Sequence, residues 1–463
     1  MTLRFGTDGI RGRDTELSPE LVIAVGRAAA AALDLAPGRR FVIGRDTRRS
    51  GPMIESALAA GLAAEGLHVE RLGVIPTPGV AHVSAAEDVA GAVISASHNA
   101  FSDNGIKLFA PGGRKLSDAA EARLERRLDA LVSRSAADVD PPVGGTAIGS
   151  VEDRPEAVVD YGDHLLAAAL EGRRLDGLSI VLDAAHGAAW ALGPQVLARA
   201  GAKLTVIHAE PDGCNINAGC GSTHPEALSR AVTGHGADLG LALDGDGDRV
   251  LAVDHQGNLV DGDQLIAVLA VDLEKRGRLR GHTVVVTVMS NLGLRQGMAA
   301  HGIAVVETPV GDRHVLTALE QGSWSLGGEQ SGHVILPELA TTGDGLLTGL
   351  LVAEVVVRSG RTLAELAASA MTRLPQVLRA VPVDRRDLGI VAAVADELAG
   401  AEAELGDAGR IVLRPSGTEP VVRVMVEAPT RDQAERVADR LVRAVERVAV
   451  PAPGGGAPAG LLG

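Results

Sequence analysis

Three times along this chain the same order of segments recurs: a β-rich run, a polar turn, a helix-length stretch, a glycine, a second β-rich run and a proline. The copies run from Phe41 through Gly66 to Pro76, from Ser179 through Gly201 to Pro211, and from Thr283 through Gly302 to Pro309. Each predicts a strand–helix–strand unit, which restricts the fold to sheets flanked by helices. After each unit a further short strand is expected, and each runs into an unusual loop. Gly91–Ile94 leads into Ser95-Ala-Ser-His-Asn99, Leu239–Leu243 into Asp244-Gly-Asp-Gly-Asp-Arg249, and Trp324–Leu326 into Gly327-Gly-Glu-Gln-Ser-Gly-His333. In open α/β sheets ligands collect at the carboxyl ends of strands, so the three loops are candidates to share one cleft.

The C-terminal part follows another pattern. Val377–Val383 reads as a strand and Leu388–Leu405 as a helix. Arg410–Leu413 and Val421–Val426 read as two strands around Arg414-Pro-Ser-Gly-Thr-Glu-Pro420. A last helix is expected from Thr430, with Gln433 completing a capping box and an apolar face of Ala434, Val437, Ala438, Leu441, Val442 and Val445. The expected architecture is α/β: three similar mixed-sheet domains (1–150, 151–255 and 256–368) and a smaller α+β domain (369–450) around one cleft. The Pro/Gly/Ala-rich residues 451–463 read as a disordered tail.

With 463 residues, 46% of them apolar and 22% charged, the chain has the balance of a globular protein. A net charge of −15 argues against nucleic acid or an anionic membrane as partner. The longest apolar stretch, Asp344–Val357, is interrupted by Glu354, so no membrane span is expected. Met1–Asp8 lacks a basic-then-apolar signal pattern, and there are only two cysteines, Cys214 and Cys220. The expected compartment is the cytoplasm.

Chemistry concentrates in the loops. Asp244, Asp246 and Asp248 alternate with glycines after an apolar strand. Carboxylates suit a hard cation such as Mg²⁺, and three of them crowded together repel without one. The competing reading is a solvated acidic turn. A calcium loop of the EF-hand type is excluded, because Arg249 stands where that loop needs glycine and His255 where it needs glutamate. Ser97 beside His98 is either a polar turn or, next to a cation loop, an acceptor for phosphoryl transfer. Lys107 is one of four lysines against 40 arginines. It is a candidate acid or base, the alternative being a surface lysine. Arg414, Ser416, Gly417 and Thr418 have the donors to surround a phosphate, or form an ordinary hairpin turn. The glycine-rich Phe5–Gly12 segment carries Arg11. His208, Cys214, Cys220 and His224 are zinc-ligand types at spacings that fit no usual C-x₂₋₄-C pair, and read as reduced thiols and loop histidines.

Taken in order, the Phe5–Gly12 opening, the serine loop, the triple-Asp loop, Gly327–His333 and Arg414–Pro420 resemble the α-D-phosphohexomutase superfamily over residues 1 to about 448. The resemblance implies four domains around one cleft and a phosphoserine at Ser97. It implies Mg²⁺ held by that phosphoserine with Asp244, Asp246 and Asp248. Arg11, His98, Lys107 and Arg249 match residues that line the reacting phosphate. Glu329 and Ser331 match the loop that binds sugar hydroxyls, and Arg414, Ser416, Gly417 and Thr418 the loop that binds the distal phosphate. Ala100 departs from the pattern, which commonly has proline there. Gly328–His333 and Gly311-Asp-Arg313 look most like the hexosamine-phosphate branch. The implied reaction interconverts glucosamine 6-phosphate and glucosamine 1-phosphate through a 1,6-bisphosphate, for UDP-N-acetylglucosamine and cell-wall synthesis. Rival readings are mutases of mannose or glucose phosphates, a metal-dependent phosphohydrolase, and a non-catalytic sugar-phosphate binding protein. Activating phosphorylation of Ser97 and a homodimer complete the expected partners.

Overall fold

The computed structural model describes residues 5–6 (backbone only), 9–133, 141–383, 389–415 and 420–449. The chain forms two compact units, one of Met1–Val288 with Met298–Ala370 and one of Met289–Gly297 with Met371–Gly463. The first is mixed α/β, as the repeat pattern predicts, and the second has the α+β character expected of the C-terminal part. No helix among the described residues is long and apolar enough to cross a membrane.

The first unit holds three sheets. In the largest, Phe41, Val42 and Ile43 are wholly buried on strand Arg40–Arg45. That strand lies between Ala90–Ile94 and His68–Val74 and runs parallel to both. Asp103–Ala110 pairs antiparallel with Ala90–Ile94, and Gly9–Arg13 antiparallel with Asp103–Ala110. Val151–Asp153 adds in parallel to the edge at His68–Val74. Helices Pro19–Ala32, Gly51–Ala63 and Asp118–Val132 share one core cluster with this sheet. Pro19–Ala32 begins with Ser18, whose hydroxyl accepts the Leu21 N–H, and with proline in its first turn. It meets Gly51–Ala63 at Gly26 and Gly61. A side chain on Gly26 would stand 2.6 Å from the Leu58 carbonyl oxygen, and one on Gly61 2.3 Å from that of Ile23. Only glycine lets these backbones approach so closely.

The second sheet has the order Lys203–Ile207, Ser179–Asp183, Leu239–Leu243, Val250–Asp254, Leu259–Val260. Its first three strands are parallel and the rest antiparallel. The third sheet has the order Ala304–Thr308, Thr283–Thr287, Gly327–Gly328, Val334–Ile335. Here one expectation needs correction. The strand read at Trp324–Leu326 is displaced to Gly327–Gly328. Ser323, at φ 53°, terminates helix Asp312–Gly322, and the Trp324 N–H still returns to the Leu319 carbonyl. Ser325 accepts the Arg280 N–H, and pairing with Thr283–Thr287 begins only at the Leu326 carbonyl, which accepts the Val285 N–H at 3.1 Å.

The second unit is a three-stranded antiparallel sheet, Gln376–Pro382, Val421–Glu427 and Arg410–Pro415, with Val421–Glu427 central. Helix Arg431–Ala449 buries Ala434, Val437, Ala438, Leu441 and Val445 against it, with Val442 half-buried. Thr430 accepts the Gln433 N–H at 3.3 Å, which is one half of the expected capping box. The helix expected over Leu388–Leu405 is two helices, Gly389–Ala393 and Ala395–Leu405, because Val394 adopts a non-helical conformation between them. Residues 384–388, Ser416, Gly417, Thr418 and the 451–463 tail lie outside the described residues.

Candidate active site

The site is assembled within the first unit, at the carboxyl ends of its strands. The fully buried strand Ala90–Ile94 delivers the serine loop. Ser97 is 1% exposed and sits at φ 52°, a left-handed conformation that a serine rarely adopts unless its surroundings hold it there. Its N–H donates to the Ser95 hydroxyl at 2.9 Å. Its own hydroxyl donates to Asp244 Oδ2 at 2.7 Å, across 147 residues of sequence. His98 Nδ1 lies 3.4 Å from the same hydroxyl.

The triple-Asp loop follows strand Leu239–Leu243, which is also fully buried. Asp244, Asp246 and Asp248 are all buried, each offering an oxygen within 4.8 Å of the others. Asp246 Oδ2 accepts Thr77 Oγ1 at 2.6 Å and Lys107 Nζ at 2.8 Å. Lys107 also reaches Asp248 Oδ2 at 3.4 Å. The remaining oxygens, Asp246 Oδ1 and Asp248 Oδ1, are buried without a hydrogen bond. Burial, together with the charges of Asp248 and Asp246, pushes the Asp244 carboxyl well above its ordinary range. Burial pushes Asp248 the same way, yet Lys107, His333 and Arg249 hold it well below. Crowded, buried oxygens with no donors are what a hard divalent cation would satisfy, so the residues fit one. Lys107, half expected as a surface lysine, is instead 3% exposed and part of this cluster.

Arg249 follows the loop directly. Its backbone N–H donates to Asp244 Oδ1 at 3.2 Å, and its guanidinium to His98 Nδ1 at 3.4 Å. Burial and the neighbouring charges of Arg249 and Arg11 lower the basicity of His98, which favours the neutral ring. Arg11 stands on strand Gly9–Arg13 opposite Gly105, beside the serine loop.

The third loop joins through His333. Its ring lies between Asp248 (Nδ1 to Oδ2, 3.7 Å) and Asp312 (Nε2 to Oδ2, 3.6 Å). Asp312 in turn pairs with Lys115 at 2.5 Å, and Arg313 with Asp118 at 2.6 Å and with Glu121. Glu329 Oε1 accepts the Gly311 N–H at 3.1 Å. Ser331 is exposed at the tip of this loop. Arg414 belongs to the second unit, where it is half-buried and stands in register with Arg423. Its Nε is buried without a hydrogen bond. Burial and the charge of Arg423 lower the pKa of the Arg414 guanidinium from its ordinary value.

Sequence reasoning missed the residues that hold the serine loop from behind. Arg48 is wholly buried, tied through Nε to Asp46 Oδ2 at 2.9 Å. Its other nitrogens donate to the carbonyls of Ser97 (3.1 Å), Asn99 (2.9 Å) and Ala100. The Asn217 amide donates to the carbonyls of Ser97 (2.9 Å) and Asn99 (3.0 Å). The available signal was Gly44-Arg-Asp-Thr-Arg48, the polar turn at the end of the first repeated strand.

Comparison with known proteins places these features in a family. Four segments match the phosphoglucomutase/phosphomannomutase family: residues 2–134 its alpha/beta/alpha domain I, 159–257 domain II, 261–374 domain III, and 378–444 its C-terminal domain. A phosphoglucosamine mutase from Saccharopolyspora erythraea is 53% identical over 97% of this chain and 100% of its own. One from Streptomyces coelicolor is 52% identical over 96% of this chain and 98% of its own. Among solved structures, a phosphoglucomutase/phosphomannomutase family protein from Burkholderia thailandensis has a TM-score of 0.81 at 24% identity, covering 99% of this chain and 100% of its own. Aspergillus fumigatus N-acetylphosphoglucosamine mutase, in complex with GlcNAc-6P and magnesium, has a TM-score of 0.70 at 20% identity, covering 97% and 96%.

Proposed function

The chain belongs to the phosphoglucomutase/phosphomannomutase family, and from that premise we propose that it interconverts glucosamine 6-phosphate and glucosamine 1-phosphate. It is a mutase, an intramolecular phosphotransferase. The observation that carries the reading is the Ser97 hydroxyl, 2.7 Å from Asp244 in a buried cluster of three carboxylates. The full-length likeness to phosphoglucosamine mutases supports the choice of hexosamine phosphates.

In this reading Ser97 carries a phosphoryl group. A hydroxyl of the bound hexosamine phosphate attacks phosphorus, the bond from phosphorus to Ser97 Oγ breaks, and the sugar becomes the 1,6-bisphosphate. His98, kept neutral by burial and by Arg249 and Arg11, takes the proton of the attacking hydroxyl. After the sugar turns over, Ser97 takes the other phosphoryl group and the proton returns. Asp244, Asp246 and Asp248 hold a divalent cation, magnesium in this reading, which when bound neutralises charge developing on the transferring phosphoryl oxygens. Arg11 and Arg249 supply fixed positive charge beside Ser97. Glu329 and Ser331 orient the sugar hydroxyls. Arg414, with Ser416, Gly417 and Thr418, takes the phosphate that is not reacting, in either orientation of the sugar. Ser97 needs an initial phosphoryl donor, and we place the enzyme in the cytoplasm.

The test begins with intact mass of the purified protein, which should show one phosphoryl group lost in Ser97→Ala. Adding glucosamine 6-phosphate should pass a labelled group from protein to sugar and yield glucosamine 1-phosphate. Label released as inorganic phosphate would indicate a hydrolase. Protein that never carries label would leave only a binding protein. A panel of glucose, mannose and hexosamine phosphates then decides the preferred sugar.

A further inference from the structure

Behind the serine loop, the first two parallel strands of the second sheet end in a second group of ligand-type side chains. Asp183 closes strand Ser179–Asp183 and is wholly buried. His208 follows strand Lys203–Ile207, one residue beyond Ile207, the register partner of Asp183. Cys220 returns to the same point from the long loop after His208 and is wholly buried. One carboxylate oxygen, one ring nitrogen and the sulfur all lie within 4.8 Å of one another. We propose that Asp183, His208 and Cys220 form a second cation site, distinct from the Asp244–Asp248 loop, and that it takes zinc.

The donor set argues for zinc over magnesium. A thiolate, an imidazole and a carboxylate are the ligands of a borderline-soft ion, whereas magnesium selects oxygen alone. Sequence spacing hid the site, because the natural pairings to look for were Cys214 with Cys220 and His208 with His224. The fold selects one cysteine and one histidine and adds an aspartate 25 residues upstream of the histidine.

The competing account is a His–Asp ion pair beside an inert thiol. His208 Nδ1 does lie 3.0 Å from Asp183 Oδ2. Yet that nitrogen is buried and makes no hydrogen bond of acceptable geometry, to this oxygen or to any other atom. The two oxygens of Asp183 already accept the N–H groups of Ala185 and Gly221, both at 2.9 Å, and each keeps a lone pair. Cys220 is pushed up to about 12 by burial and by the Asp183 charge, so it stays a thiol unless a cation is present. Three protein ligands leave the fourth position to water, which makes the site exchangeable rather than closed.

Its place in the fold gives it a role. Asn217 lies on the loop between His208 and Cys220, and its N–H donates to the Ala185 carbonyl at 2.9 Å. Its side chain is the one that holds the Ser97 and Asn99 carbonyls. A cation joining the two strand ends to Cys220 therefore braces the loop that positions the serine.

The experiment titrates the full chain with cobalt and with zinc in excess magnesium. The expected result is one tightly held zinc per chain, and for cobalt a near-ultraviolet thiolate charge-transfer band. Cys220→Ser should abolish the band, and His208→Ala should weaken zinc binding by about tenfold or more. Cys214→Ser and His224→Ala should change neither. Stripping zinc with a nitrogen-donor chelator should lower the melting temperature of the parent protein and leave that of Cys220→Ser unmoved. Far-ultraviolet circular dichroism checks that each variant is folded, and His208→Gln is measured if Cys220→Ser is not. Folded protein that shows no thiolate–cobalt band, or zinc binding that is the same in parent, Cys220→Ser and His208 variants, overturns the proposal.

Discussion

The side-chain amide of Asn217 donates to the main-chain oxygen of Ser97 at 2.9 Å, although the two residues are 120 positions apart and rise from different sheets. Arg48 reaches the same oxygen from the first sheet at 3.1 Å. The strained φ of the serine is therefore held by donors that touch no reacting group.

The clamp predicts a particular kinetic defect. Asn217→Ala removes two neutral hydrogen bonds, each contributing about 0.5–1.5 kcal/mol. In steady-state assays kcat should fall roughly tenfold with KM nearly unchanged, because the loss is in aiming Ser97 rather than in binding sugar. Arg48→Lys should do more, since one ammonium cannot reach three carbonyls and Asp46 as a guanidinium does. A rise in KM with unchanged kcat would show that Asn217 acts on the substrate instead.

Replacing Ser97 itself should end turnover. Ser97→Ala should be inactive in a coupled assay and carry no phosphoryl group by mass. Ser95→Ala should remain active but slowed, because the Ser95 hydroxyl accepts the Ser97 N–H and helps fix the loop. Near-normal rates in Ser97→Ala would exclude the serine as carrier.

Chelation should stop activity and magnesium should restore it. Asp246→Asn is expected to weaken both cation affinity and rate, because an amide is a poorer ligand for a hard ion. It also removes the ion pair with Lys107 at 2.8 Å. Isothermal titration of magnesium into parent and variant checks the first effect, and full activity in excess chelator would refute both.

A separate prediction concerns pH. Asp344 caps helix Gly345–Ser359 by accepting the Leu347 N–H, and accepts the Tyr161 hydroxyl at 2.7 Å. Burial pushes its carboxyl up to about 6, against the partly offsetting hydrogen bonds from Leu347 and Tyr161. A carboxyl raised on folding favours the native state most below its ordinary value near 3.8 and loses that contribution as pH rises through about 6. A shift of this size corresponds to about 3 kcal/mol. Denaturant unfolding at pH 4 and pH 7 should show Asp344→Asn, which keeps the cap, losing about that much less than the parent. Equal losses would show that Asp344 titrates normally.

The three repeated units were legible because apolar strands, helix-length segments and the glycines that end them are local signals. All three strand–helix–strand copies occur where the pattern puts them. Single-position events were not local. Trp324–Leu326 has strand composition, but Trp324 completes the end of the preceding helix and strand pairing begins only at the Leu326 carbonyl. Val394 carries no breaker signal, yet the helix divides there. The triple-Asp and serine loops stood out by composition alone. Arg48 and Asn217 did not, because donors to main-chain carbonyls leave no periodic trace. Asp183 and Cys220 are brought together only by strand register and the return of a loop.

The second unit contains Met289–Gly297 as well as the C-terminal stretch. Asn291 exchanges hydrogen bonds with the backbone of Leu374, both at 3.0 Å, and the Leu292 N–H ends on the buried carboxylate of Glu427. Glu427 also binds Gln376 and Arg410, so one acidic side chain gathers four parts of the unit. A gene fragment beginning at residue 371 would leave that carboxylate without the peptide it was built to receive. This unit is thus not a cassette that one recombination point can transplant, and a productive exchange between relatives must carry the short internal segment along with the tail half of the gene.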